Sequence, residues 1–318
     1  MRRPAALGVA AIAVLIAALA GMAAIGGLTP VAPESPEARG IAAVFWLLVG
    51  VSALIVLVVF GPLAYFIVRF RGGGRGREAE GPQIRGNTRL EVGWTIGAGL
   101  IVVAIIVFVF YKLPGITDPA AAGGEPLRIH VEGRQFYWLY EYPEGVTAID
   151  TLRLPVGRTV EFAITAPTGD VIHSFWVPAL HGKRDAIPGQ ETTFRATPER
   201  IGTYRVICGE FCGIQHTAMR GEVRVLAAAD FDEWLAAQRR EPDLGGQIWA
   251  GVCQKCHNPE IRIGPELVGN PLLANREALT QIVTHGRRAM PAVGQGWSEE
   301  QLDALLDFAE QLGGGGGG

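Results

Sequence analysis

The stretch from residue 208 to residue 219 reads Cys208-Gly-Glu210-Phe-Cys212-Gly-Ile-Gln-His216-Thr-Ala-Met219. It places two thiols, one imidazole and one thioether in a single short segment. Soft sulfur and imidazole ligands favour copper over hard cations, and two thiolates this close in sequence can bridge two metal ions. The spacing therefore predicts a copper site.

A zinc site is a second interpretation of the same residues. Its four ligands would be Cys208, Cys212, His216 and His173, the last from the segment Val171-Ile-His-Ser-Phe-Trp-Val-Pro178. Met219 favours copper, because zinc is bound by nitrogen, oxygen and thiolate sulfur rather than by a thioether. Methionine also fills apolar cores, which gives Met219 a purely structural alternative.

The sequence around this motif alternates with a period of two between residues 126 and 226. Val160, Phe162 and Ile164 alternate with less apolar neighbours, and the run that ends at Cys208 does the same. Proline and glycine separate these runs. Short strands at this spacing predict an antiparallel sandwich or barrel, with His173 on a different strand from the cysteines.

A second motif, Cys253-Gln-Lys-Cys256-His257, contains the remaining two cysteines. In such a motif the cysteines form thioethers to a haem and the histidine binds its iron. A redox dithiol with an incidental histidine is the alternative. The segment Ala-Met290-Pro291 follows and offers a second axial ligand. The chain therefore reads as one that moves electrons through two different metal centres.

Two segments near the N-terminus, residues 41–68 and 92–111, contain no charged side chain. A bilayer core requires about 20 apolar residues in a helix, so both are predicted to span a membrane. The alternative, two buried helices of a soluble core, would normally leave a polar face. The arginine-rich segment between them is predicted to be cytoplasmic, which places everything after Lys112 outside the cytoplasm. Residues 1–27 are interpreted as a signal peptide or an extra transmembrane helix.

The copper motif, together with Val171-Ile-His173-Ser-Phe-Trp-Val-Pro and Gln135-Phe136-Tyr-Trp138-Leu-Tyr-Glu-Tyr, resembles subunit II of the haem–copper cytochrome c oxidases. The resemblance implies a cupredoxin-type fold and a binuclear copper centre, CuA. It further implies a magnesium ion bound by the Glu210 carboxylate at the contact with subunit I. The implied CuA ligands are His173, Cys208, the backbone carbonyl of Glu210, Cys212, His216 and Met219.

Two further residues take roles from the same resemblance. Glu91, in a segment that resembles the start of the second membrane helix of the family, would lie at the mouth of a proton path. A favourable interaction with the helix dipole is its structural alternative. Phe136 stands where the family often has the tryptophan at which electrons from soluble cytochrome c enter. Phe136, Tyr137 and Trp138 are therefore expected to face the haem domain, and Phe136 and Trp138 to receive its electrons.

The C-terminal region resembles the class I cytochrome c fold, with Cys253 and Cys256 attached to haem c and His257 and Met290 on its iron. Its last helix is predicted from Ser298-Glu-Glu-Gln301, which resembles a capping box. The combination resembles a caa3-type oxidase, in which haem c passes electrons to CuA and then to subunit I, where oxygen is reduced and protons are pumped. The CuA subunit of a nitric oxide reductase and a membrane-tethered electron carrier are the alternatives.

These interpretations predict a multidomain membrane protein in a bacterial plasma membrane, with an α-helical hairpin, an all-β cupredoxin-like sandwich and a small all-α cytochrome c domain. The expected partners are subunits I and III, with cytochrome c or a bc complex as electron donor; nothing indicates nucleic acid. The predicted segments are 1–27, a linker at 28–40, the hairpin at 41–112, the CuA domain at 125–235, a linker at 236–245, the cytochrome c domain at 246–312 and a glycine tail at 313–318.

Overall fold

The computed structural model of the protein describes residues 31–70, 83–240, 242–260 and 263–314. The chain forms two compact units. One contains Arg39–Ile116, and the other contains Pro33–Ala38 together with Thr117–Gly318. The predicted signal peptide or extra helix at 1–27 and the arginine-rich segment at 71–82 lie outside the described residues.

The first unit consists of helix α1 (Pro36–Arg69) from Arg39 onward and of helix α2 (Thr88–Thr117) up to Ile116. Both are long and apolar enough to cross a membrane, and their most apolar windows are not buried inside the protein. The two predicted apolar segments are therefore confirmed as helices. Helix α1 begins at Pro36, inside the segment predicted as a linker, because proline is well suited to a first helical turn and Ser35 Oγ accepts from Ala38 N at 3.0 Å.

The segment just before α1 belongs to the second unit rather than to a free linker. Ser35 and Glu37 are fully buried there. Glu34 N donates to Ala179 O at 2.7 Å, and Glu37 Oε2 accepts from Thr197 N at 3.2 Å. The predicted linker boundary at residue 40 is thus too late, since these hydrogen bonds depend on pairing that the sequence does not reveal.

The middle of the second unit is a β-sandwich. Its strands are β1 (Leu127–Arg134), β2 (Tyr137–Glu141), β3 (Thr147–Ile149), β4 (Thr151–Pro155), β5 (Val160–Thr165), β6 (His173–Trp176), β7 (Arg184–Ala186), β8 (Thr192–Ala196), β9 (Gly202–Cys208) and β10 (Arg220–Leu226). One sheet has the order β3-β2-β1-β5-β8 and the other β4-β10-β9-β6-β7. The predicted sandwich is confirmed, and we call it the copper domain.

The prediction that the sandwich is antiparallel is wrong for two strand pairs. Strand β1 pairs with β5 in parallel, and β4 pairs with β10 in parallel. A period of two records which side chains face the core but carries no information on strand direction. The two sheets are therefore mixed.

Strand β2 is buried on both faces. Trp138 and Tyr140 point into the core of the sandwich, where both are fully buried. Tyr137 and Leu139 belong instead to a second apolar cluster that contains Ile149 of β3 and the C-terminal helices. Alternate residues of one strand therefore serve two different cores.

Helix α3 (Ala228–Arg240) follows β10 and packs on the copper domain, with Phe231 in the core of the sandwich. The C-terminal domain after it, which we call the haem domain after its predicted haem motif, is helical. Its helices are α4 (Leu244–Ile248), a π-helical turn (Trp249–Cys253), α5 (Gln254–His257), α6 (Arg276–His285) and α7 (Glu299–Gly314). The predicted capping box is present, because Ser298 Oγ accepts from Gln301 N and Gln301 Oε1 accepts from Ser298 N.

Two predicted boundaries differ from the observed helices. Helix α3 begins at Ala228, within the predicted CuA domain. The same helix continues to Arg240, which shortens the predicted linker at 236–245. Helix α7 continues through Gly313 and Gly314, beyond the predicted start of the tail. Helix ends commonly move by one or two residues from sequence patterns alone.

The haem domain packs on strands β2 and β3 of the copper domain. Besides the shared apolar cluster, Trp297 Nε1 donates to Tyr137 Oη at 2.5 Å. Ile149 N donates to Gln247 Oε1 at 3.1 Å. The two domains are therefore joined by directed polar contacts as well as by apolar area.

Replacing Tyr137 with phenylalanine should weaken this contact. The change deletes the acceptor of the half-buried Trp297 indole N–H and keeps the ring. An unmade hydrogen bond of this kind costs about 1–2 kcal/mol. Denaturant unfolding of the haem domain, followed by haem absorbance, should show this loss. Tyr204→Phe is the matched control, because Tyr204 Oη donates only to Arg200 O within the copper domain. Equal losses in both variants would contradict the interdomain role of Tyr137.

Candidate metal centres

The copper motif forms the loop of a closed hairpin. Strands β9 and β10 pair in antiparallel register up to Ile207 opposite Arg220. Cys208 N donates to Met219 O at 3.2 Å, which closes the loop at its base. The ends of the loop are thus fixed by the sheet, and all the sequence-predicted ligands between Cys208 and Met219 lie within it.

The sulfur atoms of this loop lie together beneath the surface. Cys208 Sγ and Cys212 Sγ are 3.8 Å apart, and Cys212 Sγ is 3.7 Å from Met219 Sδ. His216 Nδ1 lies 3.6 Å from Cys212 Sγ. The two cysteines and Met219 are buried, with Met219 fully so. The structure therefore brings together the four loop side chains that the motif predicts.

His173 joins the loop from strand β6. That strand pairs with β9 with Phe175 opposite Cys208, which brings the His173 ring to the sulfurs. The ligand atoms of His173, Cys208 and Cys212 all lie within 4.8 Å of one another. The ring is buried, and its Nδ1 has no hydrogen-bond partner among the described residues. A buried nitrogen without a partner fits a metal ligand.

Asp170 orients this histidine and was missed by the sequence analysis. Its Oδ1 lies 3.4 Å from His173 Nε2. Burial lowers the pKa of His173, but Asp170 and the Cys208 sulfur together raise it above its ordinary value. A carboxylate on the second ring nitrogen is the usual partner of a metal-bound histidine. The sequence offered one sign that Asp170 orients His173, namely its position three residues before that histidine.

The two cysteine sulfurs shift each other's pKa in opposite directions. Their mutual hydrogen bond lowers the pKa of the Cys208 thiol to about 3. The same hydrogen bond and burial raise the pKa of the Cys212 thiol. Metal binding to thiolates releases such protons. Cys208 is thus the thiol of the pair that loses its proton more readily.

The two oxygen groups of Glu210 point to different surroundings. Its backbone carbonyl oxygen lies 3.2 Å from Cys208 Sγ, at the edge of the sulfur cluster. Its carboxylate is about half exposed and lies 3.9 Å from Lys183 Nζ. The carbonyl is therefore close to the candidate copper site, whereas the carboxylate faces outward.

The second motif lines two adjoining cavities of about 260 and 370 Å³. Cys253, His257 and Met290 line both of them, and Cys256 lines the first. Burial raises the pKa of Cys253 to about 12. The two predicted axial ligands and both predicted attachment sites are thus on the walls of one continuous apolar space.

His257 is held in one tautomer. Its Nδ1 donates to Pro265 O at 2.7 Å, which leaves Nε2 free to bind a metal ion. A Cβ atom on Gly264 would lie 2.6 Å from His257 Nδ1, so the chain approaches the ring this closely only because residue 264 is glycine. Pro265 was not singled out from sequence, since a backbone acceptor leaves no mark in a motif.

The aromatic residues around the start of β2 face different domains. Phe136 is buried and lines the same cavity as Cys253, Cys256 and His257, together with Gln215 and Ala218 of the copper loop. Tyr137 contacts Trp297, as expected. The expectation that Trp138 faces the haem domain is wrong, because residues on a strand alternate. Its ring lies in the sandwich core, 6.2 Å from that of His173.

Glu91 closes a capping arrangement at the start of α2. Its Oε1 accepts from Asn87 N at 3.0 Å, while Asn87 Oδ1 accepts from Leu90 N at 3.3 Å. The structural alternative for Glu91 therefore has direct support. His181, interpreted from sequence as an interface residue, is buried in the copper domain against the ring of Phe194.

Comparison with known families divides the second unit in the same way. Residues 146–226 match the model "Cytochrome C oxidase subunit II, periplasmic domain". Residues 240–308 match "Cytochrome C oxidase, cbb3-type, subunit III". The first family implies copper and the second a haem c domain, so the fusion of a copper-binding domain with a cytochrome c domain is confirmed.

The relatives that match 60% or more of this chain include several proteins named cytochrome c oxidase subunit 2. Cytochrome c oxidase subunit 2 of Alkalihalophilus pseudofirmus is 31% identical over 82% of this chain and 76% of its own length. That of Thermostichus vulcanus is 31% identical over 60% and 72%, and that of Synechocystis sp. is 29% identical over 65% and 74%. With its two apolar helices, its cysteine-rich copper hairpin and its haem domain, the chain belongs to the cytochrome c oxidase subunit 2 family.

Proposed function

We propose that the chain carries electrons from a haem c in its C-terminal domain to a binuclear copper centre in its sandwich, and from there to subunit I. The haem would be held by Cys253 and Cys256, with His257 and Met290 on the iron. The copper ligands would be His173, Cys208, the Glu210 carbonyl, Cys212, His216 and Met219. The clustering of three buried ligand atoms within 4.8 Å carries the proposal.

The proximity of the two sites supports direct transfer between them. When bound, haem and copper supply reversible one-electron couples, so oxidation of the first balances reduction of the second. Phe136 lies on the wall of the haem cavity, and Gln215 and Ala218 of the copper loop line the same wall. The haem domain is covalently held against its acceptor, which replaces a bimolecular encounter by a high effective concentration.

The proposed function also includes partner subunits and a location in the membrane. Subunits I and III would accept the two membrane helices and the copper hairpin, and cytochrome c or a bc complex would reduce the haem. The chain would span the bacterial plasma membrane twice, with its copper and haem domains on the outer side. The exposed apolar surface of α1 and α2 supports contact with lipid or with other membrane helices.

Glu210 supports a magnesium site at the contact with subunit I. Carboxylate oxygens are the ligands that Mg²⁺ prefers, and the ion usually binds proteins through only one or two of them. The Glu210 carboxylate is exposed beside the copper loop and would require further ligands from subunit I. Lys183 is close enough to neutralise it when no ion is bound.

Metal analysis of the purified chain tests the copper assignment. We expect about two copper ions per chain and near-infrared absorption, and no stoichiometric zinc. Cys208→Ser should abolish both the copper and the absorption, because one of the two thiolates is lost. Met219→Leu should keep the copper and shift its potential, since a weak thioether ligand would tune the site more than it anchors it. One zinc ion per chain without near-infrared absorption would contradict the proposal.

Replacing Met290 tests whether the haem is the first acceptor. Truncation before the haem domain would expose Tyr137, Leu139 and Ile149, so a point change is the cleaner experiment. Met290→Ala should leave the haem attached through its thioethers, lower its potential and slow the reduction of copper by the physiological donor. A methionine ligand raises haem potential, which explains the direction. Unchanged copper reduction would show that electrons enter the copper domain directly.

Glu91→Gln separates a proton path from a helix cap. Glutamine retains an oxygen that can accept from Asn87 N, so α2 should keep its capping arrangement. A proton path through the carboxylate predicts a fall in oxygen turnover with both metal spectra unchanged. Asn87→Ala is the control, because it removes the cap and leaves the carboxylate. Full turnover in Glu91→Gln would leave Glu91 with the capping role alone.

A further inference from the structure

A buried ion pair joins the haem-binding motif to the copper domain. Lys255 stands between Cys253 and Cys256, and its Nζ lies 2.6 Å from Asp150 Oδ2. The two side chains are only 14% and 11% exposed. The same Nζ donates to Phe136 O at 2.8 Å. One cation of the haem motif therefore binds two acceptors of the copper domain.

Asp150 is rigidly held within the copper domain. It lies between β3 and β4 with φ of 55°, a left-handed conformation that aspartate tolerates better than most residues. Its Oδ1 accepts from Trp138 N, and its N donates to Trp138 O, both at 2.9 Å. Its O accepts from Glu222 N at 2.7 Å. The backbone of Asp150 is thus fixed to β2 and β10, and its carboxylate is fixed to β2 by a contact that does not involve Lys255.

The second acceptor of Lys255 is Phe136 O, and the residue next to Phe136 contacts the copper loop. Gln135 precedes Phe136, and its Nε2 donates to Cys212 O at 2.5 Å. Two hydrogen bonds and a single dipeptide therefore connect Lys255, next to Cys256, with Cys212. This is a short, continuous connection between the two candidate metal centres.

From this geometry we propose that Asp150 is a positioning residue for electron transfer between the two domains. By binding Lys255 it holds the Cys253–Cys256 segment against the Phe136 carbonyl, and so sets the gap that an electron crosses. The assignment rests on the proposed passage of electrons from haem to copper. Asp150 touches neither metal ligand set and acts only through Lys255.

A merely stabilising role explains this pair less well. Burying two charges costs about as much as their attraction returns, so apolar side chains would hold the domains together equally well. A charged pair with fixed acceptors instead selects one relative position, because any other leaves a buried charge without its partner. The rate of electron transfer depends steeply on that position.

The experiment compares variants of the complete, metal-loaded oxidase. Asp150→Asn removes the negative charge, and Lys255→Gln removes the positive charge. Lys255→Arg keeps a cation that can reach both acceptors. Arg276→Gln is the matched control, because Arg276 pairs with Asp303 and Asp307 inside the haem domain. After rapid reduction of the haem, its oxidation and the bleaching of the copper absorption are followed together.

We expect Asp150→Asn and Lys255→Gln to slow transfer from haem to copper by about tenfold or more, because loss of one partner of a buried interfacial charge pair lowers the population of the docked position by at least that factor. Lys255→Arg should retain most of the rate, and Arg276→Gln all of it. Haem potential and copper spectrum should stay unchanged. Hydrogen exchange of the β2 and β3 amides should rise in the slow variants, while that of β5 stays the same.

Three results would overturn the assignment, and they differ in scope. If the unchanged protein transfers electrons from haem to copper and both charge variants do so at the same rate, Asp150 has no positioning role. If the unchanged protein shows no transfer between the two centres, the proposed function fails as well. A shift in haem potential that alone accounts for the slower rate would also contradict positioning.

Discussion

The burial of strand β2 on both faces is the constraint on which the two metal centres depend. Trp138 and Tyr140 fill the sandwich core beside His173, while Tyr137 and Leu139 form the floor on which the haem domain packs. Because successive residues of a strand point to opposite faces, neither set can move without the other. The position of the haem domain and the position of the copper-site wall therefore both depend on strand β2.

The copper hairpin and the haem motif hold their metal-binding side chains in place by different means. The loop between β9 and β10 gains its precision from the sheet, which fixes both ends and adds His173 from β6. The haem motif lies on short helical turns, where Pro265 O fixes His257 and Lys255 anchors the segment to its neighbour. In both cases groups outside the motif hold in place the side chains that the chemistry requires.

Much of this arrangement is readable from sequence, because motifs and periods are local. The strands around Phe162, Val206 and Val223, the capping box at Ser298 and the clustering of Cys208, Cys212, His216 and Met219 all follow from spacing. The parallel pairs β1–β5 and β4–β10 do not, since alternation is the same in either direction. Trp138 was placed on the wrong face because a run of three aromatic residues hides the alternation. The Asp150–Lys255 pair joins residues far apart in sequence, and Lys255, although it lies within the haem motif, is not one of the residues that define it.

The haem and copper sites are expected to lie at one fixed separation within a single rigid unit. The most direct measurement is the distance between oxidised haem c and CuA in the complete protein, by pulsed electron paramagnetic resonance in frozen solution. If the contacts of β2, Trp297 and Lys255 hold the haem domain in one position, the haem–copper distance has one narrow distribution. A broad distribution would contradict the account, because it would mean that the haem domain is tethered but not docked.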